Sequence, residues 1–231
     1  MDKTSAKNRL VAVVRPLAAQ KRAELERSKR EGFRHLERPD FIWRCLLESF
    51  ATMGSSSGWK GLIADRHNYR RVTYTTLAAL TPRARKAQVR QVCREAGIRW
   101  PDKKSDYILG CFERVKALGG LKAAKRTLLA HSGREAKMAF LQTFPGIGPK
   151  YARDVMMGAY HEEFRDSIAL DARIRAISRA LGLSFTSYAE HESFYLRVAR
   201  DAKLNGWELD RLLYRFRDEV EDRLASSRRR S

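Results

Sequence analysis

At 231 residues, with 43% hydrophobic content and four tryptophans, the chain carries enough apolar material for one large domain or two small ones, which excludes a disordered polymer. Its 47 basic residues against 27 acidic ones leave a formal charge of +20, which attracts polyanions and makes nucleic acid the expected partner, although a basic membrane-surface or RNA-binding helical protein shares that composition. Cys45, Cys93 and Cys111 are scattered and odd in number, so a disulfide scaffold is excluded; reduced thiols suit a cytoplasmic, nucleoid-associated or nuclear protein that is not secreted.

The apolar run at Leu10 to Val14 is cut by Arg15 and Pro16, too short for a signal peptide or a membrane span. A charged helix is predicted from about 17 to 36. After the break at Arg38-Pro39-Asp40, Phe41, Cys45, Leu46, Ser49 and Phe50 follow helical spacing as far as Gly54. The polar loop Ser55-Ser56-Ser57-Gly58-Trp59 comes next. Arg66 to Arg71 is a basic stretch around Tyr69, readable as a phosphate contact or as a solvated charge run. Thr81-Pro82 supplies an N-cap and a first-turn proline for a helix that stops near Gly97. Trp100-Pro101-Asp102 opens another, lined by Tyr107, Ile108, Cys111, Val115 and Leu118. Helices over 121–130 and 135–144 follow.

Pro145-Gly146-Ile147-Gly148-Pro149 then breaks the helical pattern. Two glycines one residue apart permit positive φ and close backbone approach, Ile147 is the side chain that packs back between the helices, and Pro149 suits a first helical position. N–H groups at the start of the next helix are anion donors, so the turn suits a phosphate, and it suits a plain helix connection as well. Lys150 follows directly, Ala152, Val155, Met156 and Ala159 mark a buried stripe, and Asp171 precedes a helix carried by Ile174, Ile177 and Leu181.

FPGIGPKYA resembles the LPGVGxKTA hairpin of the helix-hairpin-helix DNA glycosylases of the endonuclease III and oxidised-guanine glycosylase type. IALDARIRAISRALGL resembles their VDTHVxRxxxRLG segment, and GIRWPDKKSDYILGCFERVKALGGL the segment that precedes the hairpin. The resemblance covers about 41–185. It implies base excision from damaged double-stranded DNA, with Asp171 as the common catalytic residue and Lys150 as the mark of members that also cleave at the abasic site. Pro145, Gly146, Ile147 and Gly148 take the DNA-binding role. The chemistry is consistent: an amine attacks the sugar C1′ and forms a Schiff base, while a carboxylate stabilises positive charge and accepts a proton. Ala172-Arg173 stand where the family has Thr-His, and the lysine-to-aspartate gap is a little longer than usual, which leaves Asp166 as a fallback. The family's terminal helices build a second subdomain, with the active site between the two.

Each residue also has a plainer reading. Lys150 and Asp154 are spaced for an ordinary helical ion pair, and Asp171 is a good N-cap. Asp154 is the base-pocket candidate, since it shares a helix face with Lys150; Ser55, Ser56 and Trp59 are wedge candidates, because an everted base leaves a space to be filled. Many relatives carry four cysteines for an iron–sulfur cluster after the catalytic segment. This chain has none after Cys111, and its five histidines lack metal-ligand spacing. No cofactor and no metal are expected.

The expected fold is all-α: two helical subdomains with a cleft between them and a helix-hairpin-helix motif. The expected domains are an N-terminal charged helix over 1–40, a glycosylase core over 41–185, C-terminal helices over 186–225 and a basic tail over 226–231, in a monomer. The expected function is a DNA glycosylase with abasic-site lyase activity on an oxidised base. A monofunctional glycosylase, with Asp171 activating water, and a non-catalytic DNA-binding module are the alternatives.

Overall fold

The computed structural model of the chain describes residues 2–55 and 57–228, with side chains as far as residue 226. No strand occurs among the described residues, and the all-α reading holds. The helices are α1 (Lys3–Gln20), α2 (Arg22–Glu37), α3 (Phe41–Thr52), α4 (Arg66–Arg71), α5 (Tyr74–Ala78), α6 (Pro82–Glu95), α7 (Pro101–Ala117), α8 (Leu121–Ala130), α9 (Arg134–Gln142), α10 (Pro149–Gly158), α11 (Ala172–Ala180), α12 (Tyr188–Asp201), α13 (Gly206–Arg215) and α14 (Arg217–Arg228). The chain divides into two compact units, Leu36–Val155 and the combination of Met1–His35 with Met156–Ser231. No described helix is long and apolar enough to cross a membrane.

In the unit Leu36–Val155, α3 is apolar on nearly every side: Phe41, Ile42, Trp43, Cys45, Leu46, Leu47, Phe50 and Ala51 are all buried. It is a central helix, packed against α7 and α8. Its last carbonyls are satisfied by long basic side chains: Lys104 Nζ donates to the Met53 carbonyl at 2.6 Å and Arg99 to the Gly54 carbonyl at 3.1 Å. At Trp59, the last residue of the stretch read as a polar loop, the chain enters a π-helix, Trp59–Ala64. Close packing sets this path, since a Cβ on Gly61 would lie 2.2 Å from the Ala96 carbonyl oxygen. Thr81 caps α6 as predicted, accepting from the Ala84 N–H at 3.3 Å.

In the other unit, α1 packs on α12, α13 and α14. It continues through Pro16, and the single charged helix expected from about 17 to 36 is instead the end of α1 and the whole of α2, parted at Lys21 (φ −99°, ψ 17°). Proline there removes one helical hydrogen bond. Burial of Leu10, Val13, Val14, Leu17 and Ala18 on one stripe offsets that loss, at roughly 1.5–3 kcal/mol per large apolar side chain. The C-terminal helices expected over 186–225 are α12, α13 and α14, the last two parted where the backbone turns at Phe216 (φ −117°, ψ 33°). The last helix extends to Arg228, into the segment read as a tail, and residues 229–231 lie outside the described ones.

Candidate functional site

α9, the turn and α10 form the predicted helix-hairpin-helix. The Ile147 N–H donates to the Phe144 carbonyl at 3.1 Å and closes the turn; the Ala152 N–H donates to the Gly148 carbonyl at 3.0 Å and opens α10. Ile147 is buried, as expected. The two glycines differ from the sequence reading. Only Gly146 takes positive φ (81°), and a Cβ on it would stand 2.5 Å from the Tyr107 ring. At Gly148 an added Cβ meets nothing within 4 Å. The hairpin is thus fastened to α7 at Gly146 and Pro145, whose carbonyl accepts from the Cys111 thiol at 3.5 Å. The open space is at Gly148, beside the start of α10, where helix geometry leaves N–H donors without intrahelical partners.

Lys150 sits on the first turn of α10 with its side chain 42% exposed. Its ammonium pairs with Asp154 at 2.7 Å and lies 4.3 Å from the centre of the Tyr151 ring. The structure therefore brings Lys150 and Asp154 together as an i,i+4 pair. Such a pair on an exposed face is worth a few tenths of a kcal/mol. Burial raises the Tyr151 phenol above its ordinary range, with the Asp154 carboxylate also acting upward and Lys150 acting against them.

Asp171 is the N-cap of α11. One carboxylate oxygen accepts from the backbone N–H groups of Arg173 (2.9 Å) and Ile174 (3.0 Å). The other faces the Arg173 guanidinium at 3.7 Å. That guanidinium, which stands where the resembled family has histidine, lies over the Tyr214 ring at 4.1 Å. Capping leaves one oxygen of a partly exposed carboxylate outside the helix hydrogen-bond system. That oxygen is the one paired with Arg173.

Sequence reasoning missed what holds Asp171 in place. Ser167, Ile168, Ala169 and Leu170 are buried without regular structure, so their backbone donors need partners. Glu192 of α12 accepts from the Ile168 N–H at 3.0 Å and Asp210 of α13 from the Ala169 N–H at 2.9 Å. The Tyr188 hydroxyl accepts from the Leu170 N–H at 3.4 Å and donates to the Ile168 carbonyl at 2.5 Å. Gly206 completes the clamp, since a Cβ there would press to 2.9 Å from the Ser167 nitrogen. The available signal was Asp210, an acid at helical spacing between Trp207 and Leu213 on the buried side of α13. Asp166, the fallback aspartate, accepts from the Gly206 N–H at 3.4 Å.

The wedge candidates are placed in part. The Ser55 hydroxyl bonds the Ser57 hydroxyl at 2.8 Å, Trp59 is 42% exposed at the head of the π-helix, and Ser56 lies outside the described residues. Trp100, 52% exposed with a left-handed backbone (φ 56°), stands beside Gly54 under the Arg99 guanidinium at 4.3 Å. Its role as an exposed aromatic was not read from the sequence, where it served only to mark a helix start.

No family model and no curated protein matches the chain. Solved structures do. The 8-oxoguanine DNA glycosylase of Methanocaldococcus jannaschii matches with a TM-score of 0.71 at 14% identity, over 94% of this chain and 97% of that one. The chain has the fold of an 8-oxoguanine DNA glycosylase. The Thermotoga maritima enzyme of that name matches with a TM-score of 0.68 at 18% identity, over 91% of this chain and 96% of that one. The M. jannaschii glycosylase/lyase in complex with a 15mer DNA containing 8-oxoguanine matches with a TM-score of 0.66 at 14% identity, over 90% and 97%. The glycosylase fold therefore spans both units, and the sequence resemblance and the structural likeness point to the same architecture.

Proposed function

We propose that the chain is a base-excision DNA glycosylase with abasic-site lyase activity, acting on an oxidised base, with 8-oxoguanine the first candidate. The observation that carries this reading is a glycosylase fold in which an exposed lysine directly follows the hairpin and a partly exposed aspartate caps α11. The solved relative bound to 8-oxoguanine DNA and the charge of +20 support the substrate class.

In this mechanism the hairpin N–H groups hold a backbone phosphate and the lesion base is turned out of the stack. Lys150 first gives its proton to Asp154, the carboxylate 2.7 Å away. The neutral amine then attacks C1′. A bond forms from Nζ to C1′ as the bond from C1′ to the base nitrogen breaks, and the departing base takes that electron pair and a proton. Asp171 stabilises the positive charge that develops on the sugar. Ring opening gives a Schiff base between Nζ and C1′. Loss of a proton from C2′ then expels the 3′ phosphate by β-elimination.

The test is single-turnover release of 8-oxoguanine, oxidised pyrimidine and undamaged bases from duplexes, by the wild type and Asp171→Asn. Asparagine is also a good N-cap, so α11 is retained. The expected result is that the variant binds duplex DNA as the wild type does but releases base at least 100-fold more slowly, the range of a lost charge-stabilising group. Base release from no lesion, with DNA binding intact, would leave a non-catalytic binding module.

A further inference from the structure

Away from the hairpin, the unit Leu36–Val155 has a solvent-open concavity of about 410 Å³ lined by Arg38, Arg44, Arg66, Arg70 and Tyr69, floored by Ile63 and Ala64. None of residues 145–150 lines it. Arg38 lies just before α3 and Arg44 in its first turn, and the chain leaves the other end of that 12-residue helix toward Ser55. At ~1.5 Å per residue the two ends are ~18 Å apart.

The four guanidinium groups are in two different states. Arg38 makes a two-pronged pair with Asp40, at 2.8 and 2.9 Å. Arg44 pairs with Glu48 at 2.9 Å and lies over the Tyr69 ring at 5.3 Å. The Tyr69 hydroxyl donates to Asp40 at 2.8 Å. Burial pushes the Asp40 carboxyl up, and the Arg38 fork and Tyr69 hydroxyl outweigh it, holding Asp40 below the usual carboxylate range. Burial, with the Asp40 hydrogen bond and charge, pushes the Tyr69 phenol up to about 12, so it stays protonated. This half of the wall is fixed and its charges are answered.

Arg66 and Arg70 are different. They are exposed, and their side chains make no hydrogen bond or ion pair among the described residues. They stand four apart on α4, a helix of six residues, an arrangement that costs a few tenths of a kcal/mol through like-charge repulsion. Arg66 also occupies the first helical position, where the helix dipole disfavours a cation. Two side chains that gain by turning apart into water instead line one concavity with two further arginines. An anion between them reverses both costs. Guanidinium forks match the oxygens of a phosphate by paired hydrogen bonds, and the volume exceeds that of a bare phosphate, leaving room for an attached sugar.

We propose that this concavity is a phosphate-ester site, with Arg66 and Arg70 as its binding residues and the Arg38–Asp40–Tyr69 cluster as the rigid wall behind them. The phosphate is one of a nucleic-acid backbone or of a free nucleotide. The site stands apart from the excision chemistry and binds phosphate whether or not the chain removes a base.

The test compares the full chain with the double variant Arg66→Gln/Arg70→Gln. Arg83→Gln/Lys86→Gln, an equal charge change at exposed positions of α6, is the control. Two readouts are taken: the salt dependence of affinity for an undamaged duplex, and the movement of the Arg66 and Arg70 side-chain NMR signals on adding inorganic phosphate or deoxyguanosine monophosphate. If the source is a DNA backbone, the slope of log K against log salt falls by ~0.9 for each phosphate that the arginine variant no longer neutralises, and by less in the control. If the source is a free nucleotide, the arginine signals move on adding deoxyguanosine monophosphate and the DNA slope is unchanged; either result upholds the site. Equal slopes in the two variants with no movement of the arginine signals would overturn it, leaving a solvated charge run.

Discussion

Gly146 and Gly148 are one residue apart and do different things. Gly146 holds a positive φ with the Tyr107 ring 2.5 Å from where a Cβ would be, while Gly148 is open. Gly146→Ala is expected to lower stability by about 1–3 kcal/mol, from strained φ and a ring that must move. Gly148→Ala is expected to change stability by less than about 1 kcal/mol and to weaken DNA binding by crowding the helix start. Urea unfolding and duplex titration of the two variants check both; equal destabilisation would contradict the assignment. The candidate site was legible at this scale where chemistry depends on residue type: a lysine after a glycine hairpin, an aspartate before an apolar helix. The split between the glycines was not, because Tyr107 lies far away in sequence.

Among elements, the segment from Ser167 to Leu170 shows how irregular backbone can be rigid. It delivers Asp171, and its donors are answered by Glu192 and Asp210. Asp210→Ala leaves the buried Ala169 N–H without this acceptor and is expected to cost about 1–3 kcal/mol. Single-turnover excision should fall with little change in duplex affinity. Asp210→Asn keeps an acceptor oxygen and should retain most of both, as urea midpoints and excision rates will report; loss of duplex affinity in Asp210→Ala would contradict a positioning role. The helices themselves were largely readable. α8 occupies the predicted 121–130, and Thr81, Asp171 and Pro149 stand at helix starts as their chemistry requires. The boundaries not legible there were tertiary overrides: Pro16 is carried by a buried stripe, and the turns at Lys21 and Phe216 have no glycine or proline to announce them.

For the molecule as a whole, pH acts through a buried histidine. His191 is 5% exposed, with Nε2 2.8 Å from the Ser178 hydroxyl and its ring stacked on Phe185 at 4.1 Å. Burial first, and the Arg175 charge second, lower its pKa from 6.5 to about 4. The unfolded chain therefore takes up this proton at a higher pH than the folded one. The stability His191 contributes is complete above pH 6.5 and is lost as pH falls from 6.5 to about 4. Thermal melting should drop between about pH 7 and pH 5, above the range where ordinary carboxylates titrate, and His191→Gln should flatten that drop; an unchanged profile in the variant would contradict it. The net charge that pointed to a polyanion was legible from composition, whereas the arginine concavity required the folded arrangement of α3 and α4.

In the proposed mechanism Lys150 forms a covalent bond with the sugar of a damaged nucleotide. Borohydride reduction of the protein on duplexes carrying 8-oxoguanine, an oxidised pyrimidine or an abasic site, with Lys150→Ala in parallel, measures this directly. A covalent adduct with the wild type, absent with the variant and strongest on the duplex that also releases base fastest, is the predicted result. Base release without any trapped adduct would contradict the lysine mechanism and leave Asp171 activating water.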